Sequence, residues 1–288
     1  MPELPEVETV RRQLTPHLID QTITGVEVFH AKTVAHDSTI EDRLVGKTIH
    51  TIERIGKLLI ISFYDTDDLF LLIHLKMTGQ LLYQPTHDSM VAGGHTLTAN
   101  DSQDLPNRHS RSAFSFTDGS TLYFNDMRLF GYTKLATKAQ VATARAGFGP
   151  EPTDPNFDID WFVAKLRTKR TTVKAALLNQ AFVSGLGNIY VDEALFRAGV
   201  RPTRNTARIN KTEAHLIGEA AGAVMQEAIT VGGTTFQHFV DTGGQAGNFT
   251  DYLRVFGRQG SPCLVCGTTI KKIRTAGRGT HFCPQCQT

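Results

Sequence analysis

No run of about 18 apolar residues occurs in the chain, which argues against a helix spanning a membrane. The N-terminus also lacks a basic segment followed by an apolar stretch, so no secretory leader is indicated and a cytoplasmic location is expected. Net charge is small, +2 at pH 7, and by itself selects no partner. Neither an internal repeat nor a low-complexity tract is found, and the composition, 40% hydrophobic, is that of an ordinary globular protein. Its 288 residues suffice for two domains and a small appendage. Cysteine is scarce, with four residues, all beyond position 262.

The small net charge conceals an uneven distribution. Ten basic residues face two acidic ones, Asp192 and Glu193, between Trp161 and Lys211, and six face one from Asp251 onward. A cationic half of this kind is the footprint of a protein that neutralises phosphates, and a nucleic-acid partner is expected. A solvated basic face is the plainer alternative.

Short β-branched and apolar segments fill the first half: 23–29, 48–55, 58–63, 69–75, 112–116 and 121–124, separated by turn formers. Dense short strands without long helices between them predict an antiparallel sandwich or barrel. The polar, glycine-bearing stretch 85–107 reads as a long surface loop. Downstream of Gly147-Phe148-Gly149-Pro150 the pattern turns helical, over 159–167, 173–179, 189–198 and 212–229, the last opened by an Asn210/Glu213 capping box. The expected division is 1–135, a linker over 136–154, a helical domain over 155–240, and a terminal unit over 241–288.

Cys263, Cys266, Cys283 and Cys286 are spaced C-x2-C-x16-C-x2-C, within the range of a tetrahedral four-thiolate zinc site. Disulfides do not suit a chain without a secretory leader, and a redox pair does not suit two such pairs in tandem. One Zn2+ ion would supply the folding energy that so short a unit cannot draw from an apolar core. With four protein ligands it would be structural rather than catalytic. The hairpin implied between the pairs carries Lys271, Lys272, Arg274 and Arg278.

The chain begins Met1-Pro2-Glu3-Leu4-Pro5-Glu6-Val7-Glu8. Removal of Met1, which a small second residue permits, would make Pro2 a secondary amine capable of nucleophilic attack and iminium formation. An α-amino group titrates near ~7.7–8, so much of it would be neutral at working pH, with Glu3 beside it to move protons. The alternative is a simple helix start: proline in the first turn, acidic residues after it, and Val7, Val10 and Leu14 on one face.

These pieces, in order, resemble bacterial formamidopyrimidine-DNA glycosylases along essentially the whole chain. The likeness is carried by Pro2 to Glu8, Gly56-Lys57-Leu58-Leu59, His74-Leu75-Lys76-Met77-Thr78-Gly79, Asn125-Asp126-Met127-Arg128-Leu129-Phe130-Gly131, Gly185-Leu186-Gly187-Asn188-Ile189-Tyr190, and Gly257-Arg258 with the cysteine unit. The resemblance implies an α+β multidomain fold: an N-terminal antiparallel β-sandwich with an N-terminal helix, a helix-two-turns-helix domain, and a C-terminal zinc-finger β-hairpin. It implies a base-excision repair enzyme for oxidised purines in duplex DNA, acting as a monomer through a Schiff base on Pro2 followed by β,δ-elimination.

By the same match Glu3 is the proton carrier, and Lys57 and Arg278 assist elimination and hold phosphates. Met77, Arg128 and Phe130 fill the gap left by a flipped base. His74, His109, Arg170, Lys174 and Asn188 contact DNA. Core packing is the alternative for Met77 and Phe130, and a structural hydrogen bond for His109 and Asn188. Leu129 stands where family members often have a second basic residue, and Arg108-His109-Ser110-Arg111 keeps one histidine of a common His-x-His pattern. Two other readings remain: an endonuclease VIII type acting on oxidised pyrimidines, and a non-catalytic zinc-ribbon DNA-binding protein.

Overall fold

The computed structural model describes residues 2–86, 91–94, 105–233 and 249–288. The chain divides into two compact units, 1–146 with 231–248, and 147–230 with 249–288.

The first unit opens with helix α1 (Leu4–Leu18), followed by strands β1 (Ile23–Val28), β2 (Ile49–Ile55), β3 (Leu58–Phe63), β4 (Thr66–His74), β5 (Gly79–Gln84), β6 (Val91–Gly94), β7 (Ser110–Phe116), β8 (Thr121–Asp126) and β9 (Tyr132–Ala136), with a short helix α2 (Ile40–Leu44) between β1 and β2. Two antiparallel sheets result, ordered β1-β7-β8-β5-β6 and β2-β3-β4-β9. Alternating apolar residues of both sheets, among them Leu59, Ile61, Leu71 and Ile73 from one and Leu81, Phe114, Leu122 and Phe124 from the other, form one buried core. The apolar face of α1, Val7, Val10, Leu14 and Leu18, enters the same core. Its orientation is fixed from the polar side by Glu8. That carboxylate takes Arg11 (2.8 Å) and Arg12 (2.8 Å) from its own helix and Arg54 (3.0 Å) from β2.

Strands β5 and β9 and helix α2 are not among the segments read from pattern, and two further stretches differ from their reading. The stretch read as a surface loop contains β6, which acquires strand character by pairing with β5 from Gln80↔Gly94 to Tyr83↔Val91. The stretch read as a linker begins with helix α3 (Lys138–Ala146). Its start is a Thr137/Gln140 capping box, with the Thr137 N–H donating to Gln140 Oε1 (2.9 Å) and the Gln140 N–H to Thr137 Oγ1 (3.3 Å). Residues 87–90 and 95–104 of the expected loop lie outside the described residues, as do 234–248.

The second unit holds α4 (Ile159–Thr168), α5 (Val173–Leu178), α6 (Asn188–Arg197) and α7 (Lys211–Thr230), then the hairpin β10 (Lys271–Thr275) and β11 (Arg278–Phe282). Three of the four helix starts have a side-chain cap. Asp158 caps α4 through the Trp161 N–H (2.8 Å) and Thr172 caps α5 through the Ala175 N–H (3.3 Å). The Asn210/Glu213 box at α7 is reciprocal, at 2.8 and 2.9 Å. Gly232 and Gly233, both left-handed (φ 82 and 80), follow the end of α7. No described helix is long and apolar enough to cross a membrane.

Candidate active site

Pro2 and Glu3 are both buried at the head of α1. Glu3 is the N-cap, extended at φ −106, and forms a capping box with Glu6. The Glu6 carboxylate accepts the Glu3 N–H at 2.7 Å, and the Glu3 carboxylate accepts the Glu6 N–H. The helix-start and catalytic readings of this segment are therefore compatible: the box that starts the helix also immobilises the two residues in front of it. Gly233 presses on the same place, since a Cβ there would lie 2.8 Å from Glu6 Oε1. Its left-handed backbone and this close approach both require glycine.

Lys57 is half-buried on the turn between β2 and β3, next to Leu58, whose register partner on β4 is His74. Burial, aided by the ammonium groups of Lys76 and Lys57, lowers the pKa of His74 from 6.5 to about 3. The ring is thus neutral at working pH. Its Nδ1 accepts the Lys76 N–H at 3.0 Å, which leaves the proton on Nε2 as a donor. Tyr132, paired with His74 between β4 and β9, has the ammonium groups of Lys76 (5.8 Å) and Lys134 (5.3 Å) within cation–π distance of its ring. Lys76, Lys134 and Tyr132 were not singled out from the sequence, because their proximity exists only across the sheet.

Met77 is half-buried in the connection from β4 to β5, and Arg128 and Phe130 are exposed in the loop between β8 and β9. Phe130, 47% exposed, is not part of the core, and neighbouring Met127 is as open at 48%. The Arg128 guanidinium lies 4.9 Å from the Phe130 ring centroid, so the two side chains stand as one stacked pair. His109 is half-buried just before β7. Its N–H donates to Asn107 Oδ1 (2.8 Å) and its Nε2 accepts from Arg108 Nε (3.1 Å).

In the second unit, Arg170 is exposed in the turn between α4 and α5 in a left-handed conformation (φ 49). Arg278 is exposed at the start of β11, directly after a two-residue turn of Ala276 and Gly277, both at positive φ. That geometry is the hairpin turn whose twist matches the strands. Lys174 departs from expectation. It is 0% exposed, with its ammonium 2.6 Å from Asp192 Oδ1 and 3.2 Å from the Gly279 carbonyl, so it is not presented to solvent. An ammonium that far from water needs a counter-charge, and Asp192 supplies it. Asn188, the first residue of α6, is half-buried and donates Nδ2 to the same carbonyl at 3.0 Å. Asp192 also accepts the His281 N–H on β11 (2.8 Å), and Glu193 accepts three successive N–H groups, from Arg254, Val255 and Phe256. Neither acid was picked out from sequence except as the minority charge in a basic stretch.

The four cysteine sulfurs lie within 4.8 Å of one another. Cys263 to Cys286 is 3.9 Å and Cys266 to Cys283 is 3.5 Å. These separations are too long for disulfides, yet match the edge of about 3.8 Å expected for four sulfurs at roughly 2.3 Å from one zinc. The N–H groups of Val265 and Cys286 point at Cys263 and Cys283 Sγ, both at 3.4 Å, a donor arrangement suited to thiolates. The unit holds one structural zinc, coordinated by Cys263, Cys266, Cys283 and Cys286.

Three family models match in succession: the formamidopyrimidine-DNA glycosylase N-terminal domain over residues 1–133, the formamidopyrimidine-DNA glycosylase H2TH domain over 148–240, and the zinc finger found in FPG and IleRS over 260–288. The formamidopyrimidine-DNA glycosylase of Geobacillus kaustophilus is 39% identical over 292 residues, covering 100% of both chains. That of Shouchella clausii is 39% identical over 293 residues, covering 100% of this chain and 99% of its own. Among solved structures, the Lactococcus lactis enzyme in complex with abasic-site DNA superposes with a TM-score of 0.86 at 35% identity, covering 100% of each chain. Full-length identity at this level, with three modules in the same order, places the α+β architecture and the zinc unit in one lineage: the chain belongs to the formamidopyrimidine-DNA glycosylase family, base-excision repair enzymes that act on damaged DNA and cleave at abasic sites.

Proposed function

We propose that the chain excises oxidised purines, 8-oxoguanine and formamidopyrimidines, from duplex DNA and then removes the remaining sugar by β,δ-elimination. The observation that carries this reading is the buried pair Pro2 and Glu3, held at the head of α1 by the reciprocal Glu3/Glu6 box. Once Met1 has been removed, the Pro2 nitrogen attacks C1′ of an extruded nucleotide as the bond to the base breaks. Glu3 protonates the ring oxygen, and opening of the sugar leaves an iminium between C1′ and Pro2. Loss of a C2′ proton then expels the 3′ phosphate, and a second elimination expels the 5′ phosphate, leaving a one-nucleotide gap.

The charges that the resemblance assigns to DNA suit these steps. Lys57 and Arg278 place cations for the departing phosphates, which accumulate negative charge as their C–O bonds break. His74, neutral and with its proton on Nε2, is a hydrogen-bond donor to phosphate without being a second charge beside Lys57. Arg170, His109 and Asn188 supply further DNA contacts, and Met77, Arg128 and Phe130 occupy the gap in the stack. The zinc takes no part in the chemistry, because its four positions are filled by sulfur. The protein acts as a monomer on nucleoid DNA.

Borohydride reduction in the presence of 8-oxoguanine duplex tests the reading, with the N-terminus of the preparation checked by mass spectrometry. A chain starting at Pro2 should be trapped as a covalent protein–DNA adduct, and one retaining Met1 should not, since its Pro2 nitrogen is an amide. Absence of an adduct from the processed chain overturns the proposal. A marked preference for thymine glycol over 8-oxoguanine would move the substrate to oxidised pyrimidines.

A further inference from the structure

Asp126 ends β8 and is 1% exposed. Its carboxylate accepts hydrogen bonds from two separate loops. Oδ1 accepts the Arg128 N–H at 3.1 Å and the hydroxyl of Thr78. Oδ2 accepts the Phe130 N–H at 2.8 Å and the Gly131 N–H at 2.7 Å. Thr78 closes the arrangement, since its Oγ1 also accepts the Arg128 N–H at 3.1 Å. The main chain of Asp126 points the other way, with its N–H on the His109 carbonyl (2.9 Å) and its carbonyl taking Arg111 Nε (2.7 Å). Met77 immediately precedes Thr78, so every side chain read as filling the gap of a flipped base is within two residues of a group bonded to this carboxylate, or bears such a group itself.

Apolar packing cannot perform this task. Met127, Arg128 and Phe130 all face solvent, and Leu129 between them is left-handed at φ 56, a conformation a branched residue adopts only under constraint. What holds the loop is its backbone, through charge-assisted bonds to a buried anion, which are about twice as strong as neutral ones. Gly131 fits against the same oxygen, because a Cβ there would be 3.2 Å from Asp126 Oδ2 and 2.8 Å from Phe124 Cζ.

We propose that Asp126, acting through Thr78, is a positioning residue that locks the Met77 turn and the Arg128–Phe130 loop into one preformed wedge. The inference rests on reading Met77, Arg128 and Phe130 as the groups that replace an extruded base. A wedge already in place loses no ordering entropy when it enters the stack, whereas two independent loops must be ordered against DNA on every encounter. The order is needed only where a base must be displaced and its partner judged. Chemistry on an abasic single strand has no stack to enter.

The test compares Thr78→Val, Thr78→Ser and Asp126→Asn with the wild-type enzyme on two substrates, an 8-oxoguanine duplex and a single-stranded oligonucleotide carrying an abasic site. Thr78→Val and Asp126→Asn should slow duplex excision roughly ten- to hundred-fold, the scale set by misplacing groups by about an ångström. Both should leave cleavage of the abasic single strand unchanged. Thr78→Ser keeps the hydroxyl and should restore duplex excision. Equal losses on both substrates would overturn the proposal, as they denote a general defect of the fold. Unchanged duplex excision, or a Thr78→Ser enzyme as slow as Thr78→Val, would overturn it as well. A wild-type chain inactive on both substrates would instead strike at the glycosylase and lyase reading, and the inference would fall with it.

Discussion

Lys174 and Asn188 donate to the same acceptor, the carbonyl oxygen of Gly279, at 3.2 and 3.0 Å. One comes from α5 and the other from the first turn of α6, and the residue they hold follows Arg278 directly. The helical pair therefore fixes the turn end of the zinc hairpin, and with it the position from which Arg278 projects. Lys174, which the resemblance assigns to phosphate contact, is turned inward onto the carbonyl that follows Arg278.

The buried pair behind this arrangement should be sensitive to the loss of one partner. Lys174 and Asp192 are each 0% exposed and 2.6 Å apart, so Lys174→Met leaves a carboxylate without its counter-charge. The expected cost is about 3–5 kcal/mol, read from urea unfolding. Adding Asp192→Leu should recover part of that loss, because it removes the stranded charge, although the His281 N–H is then left without its acceptor. A double variant no more stable than Lys174→Met would show that the carboxylate is not stranded in the single one.

Zinc removal should act locally. Among the described residues, the small core of the terminal unit is Val255, Cys263, Ile270 and Cys283, two of which are themselves metal ligands. Without the ion this cluster loses both its packing and its clamp. Hydrogen exchange after chelation should show protection lost over 271–282 while β3 and β4, buried in the sandwich, remain protected. DNA affinity should fall together with its salt dependence, because Arg278 is no longer held in place. Retained protection in the hairpin would mean that zinc is not what folds it.

Acid should weaken the first unit in two overlapping stages. The folded pKa of His74 is about 3, against an ordinary 6.5, so the unfolded chain takes up this proton first and stability declines as pH falls from 6.5 toward 3. Burial raises the Glu8 pKa, but hydrogen bonds from Arg11, Arg12 and Arg54 outweigh it and bring the value from 4.5 to about 2. Its contribution is complete above pH 4.5 and is lost as pH falls through 2. Melting temperatures of wild type and His74→Asn across this range should converge as pH drops from 7 to 4, since only the wild type carries the upper stage. Parallel curves would exclude His74 as its source.

Much of the architecture was legible from local pattern. The first two strands, the β3 run and all four helices of the second unit end within one residue of the segments read from periodicity. The misses have local causes as well. β5 and β9 were not read as strands, and β6, Val-Ala-Gly-Gly, has only its valine to favour a strand and forms by pairing with a neighbour. The α3 signal was present in Thr137-x-x-Gln140, though in a stretch whose nearby glycines and prolines pointed to a linker.

By itself, the sequence determined what depends on near neighbours: the capped helix starts, the alternating strands, the four-thiolate spacing, and the pairing of a potential N-terminal amine with a carboxylate. Only the tertiary structure decided the state of the buried polar groups in each unit. Thr78 meets Asp126 across 48 positions, and Lys174 reaches Gly279 across 105. Burial removes the water that would otherwise make each partner optional, so a lysine becomes a strut, a histidine stays neutral, and an aspartate becomes the acceptor for two loops. Such roles depend on which distant groups arrive at the same buried point, and no spacing along the chain encodes them.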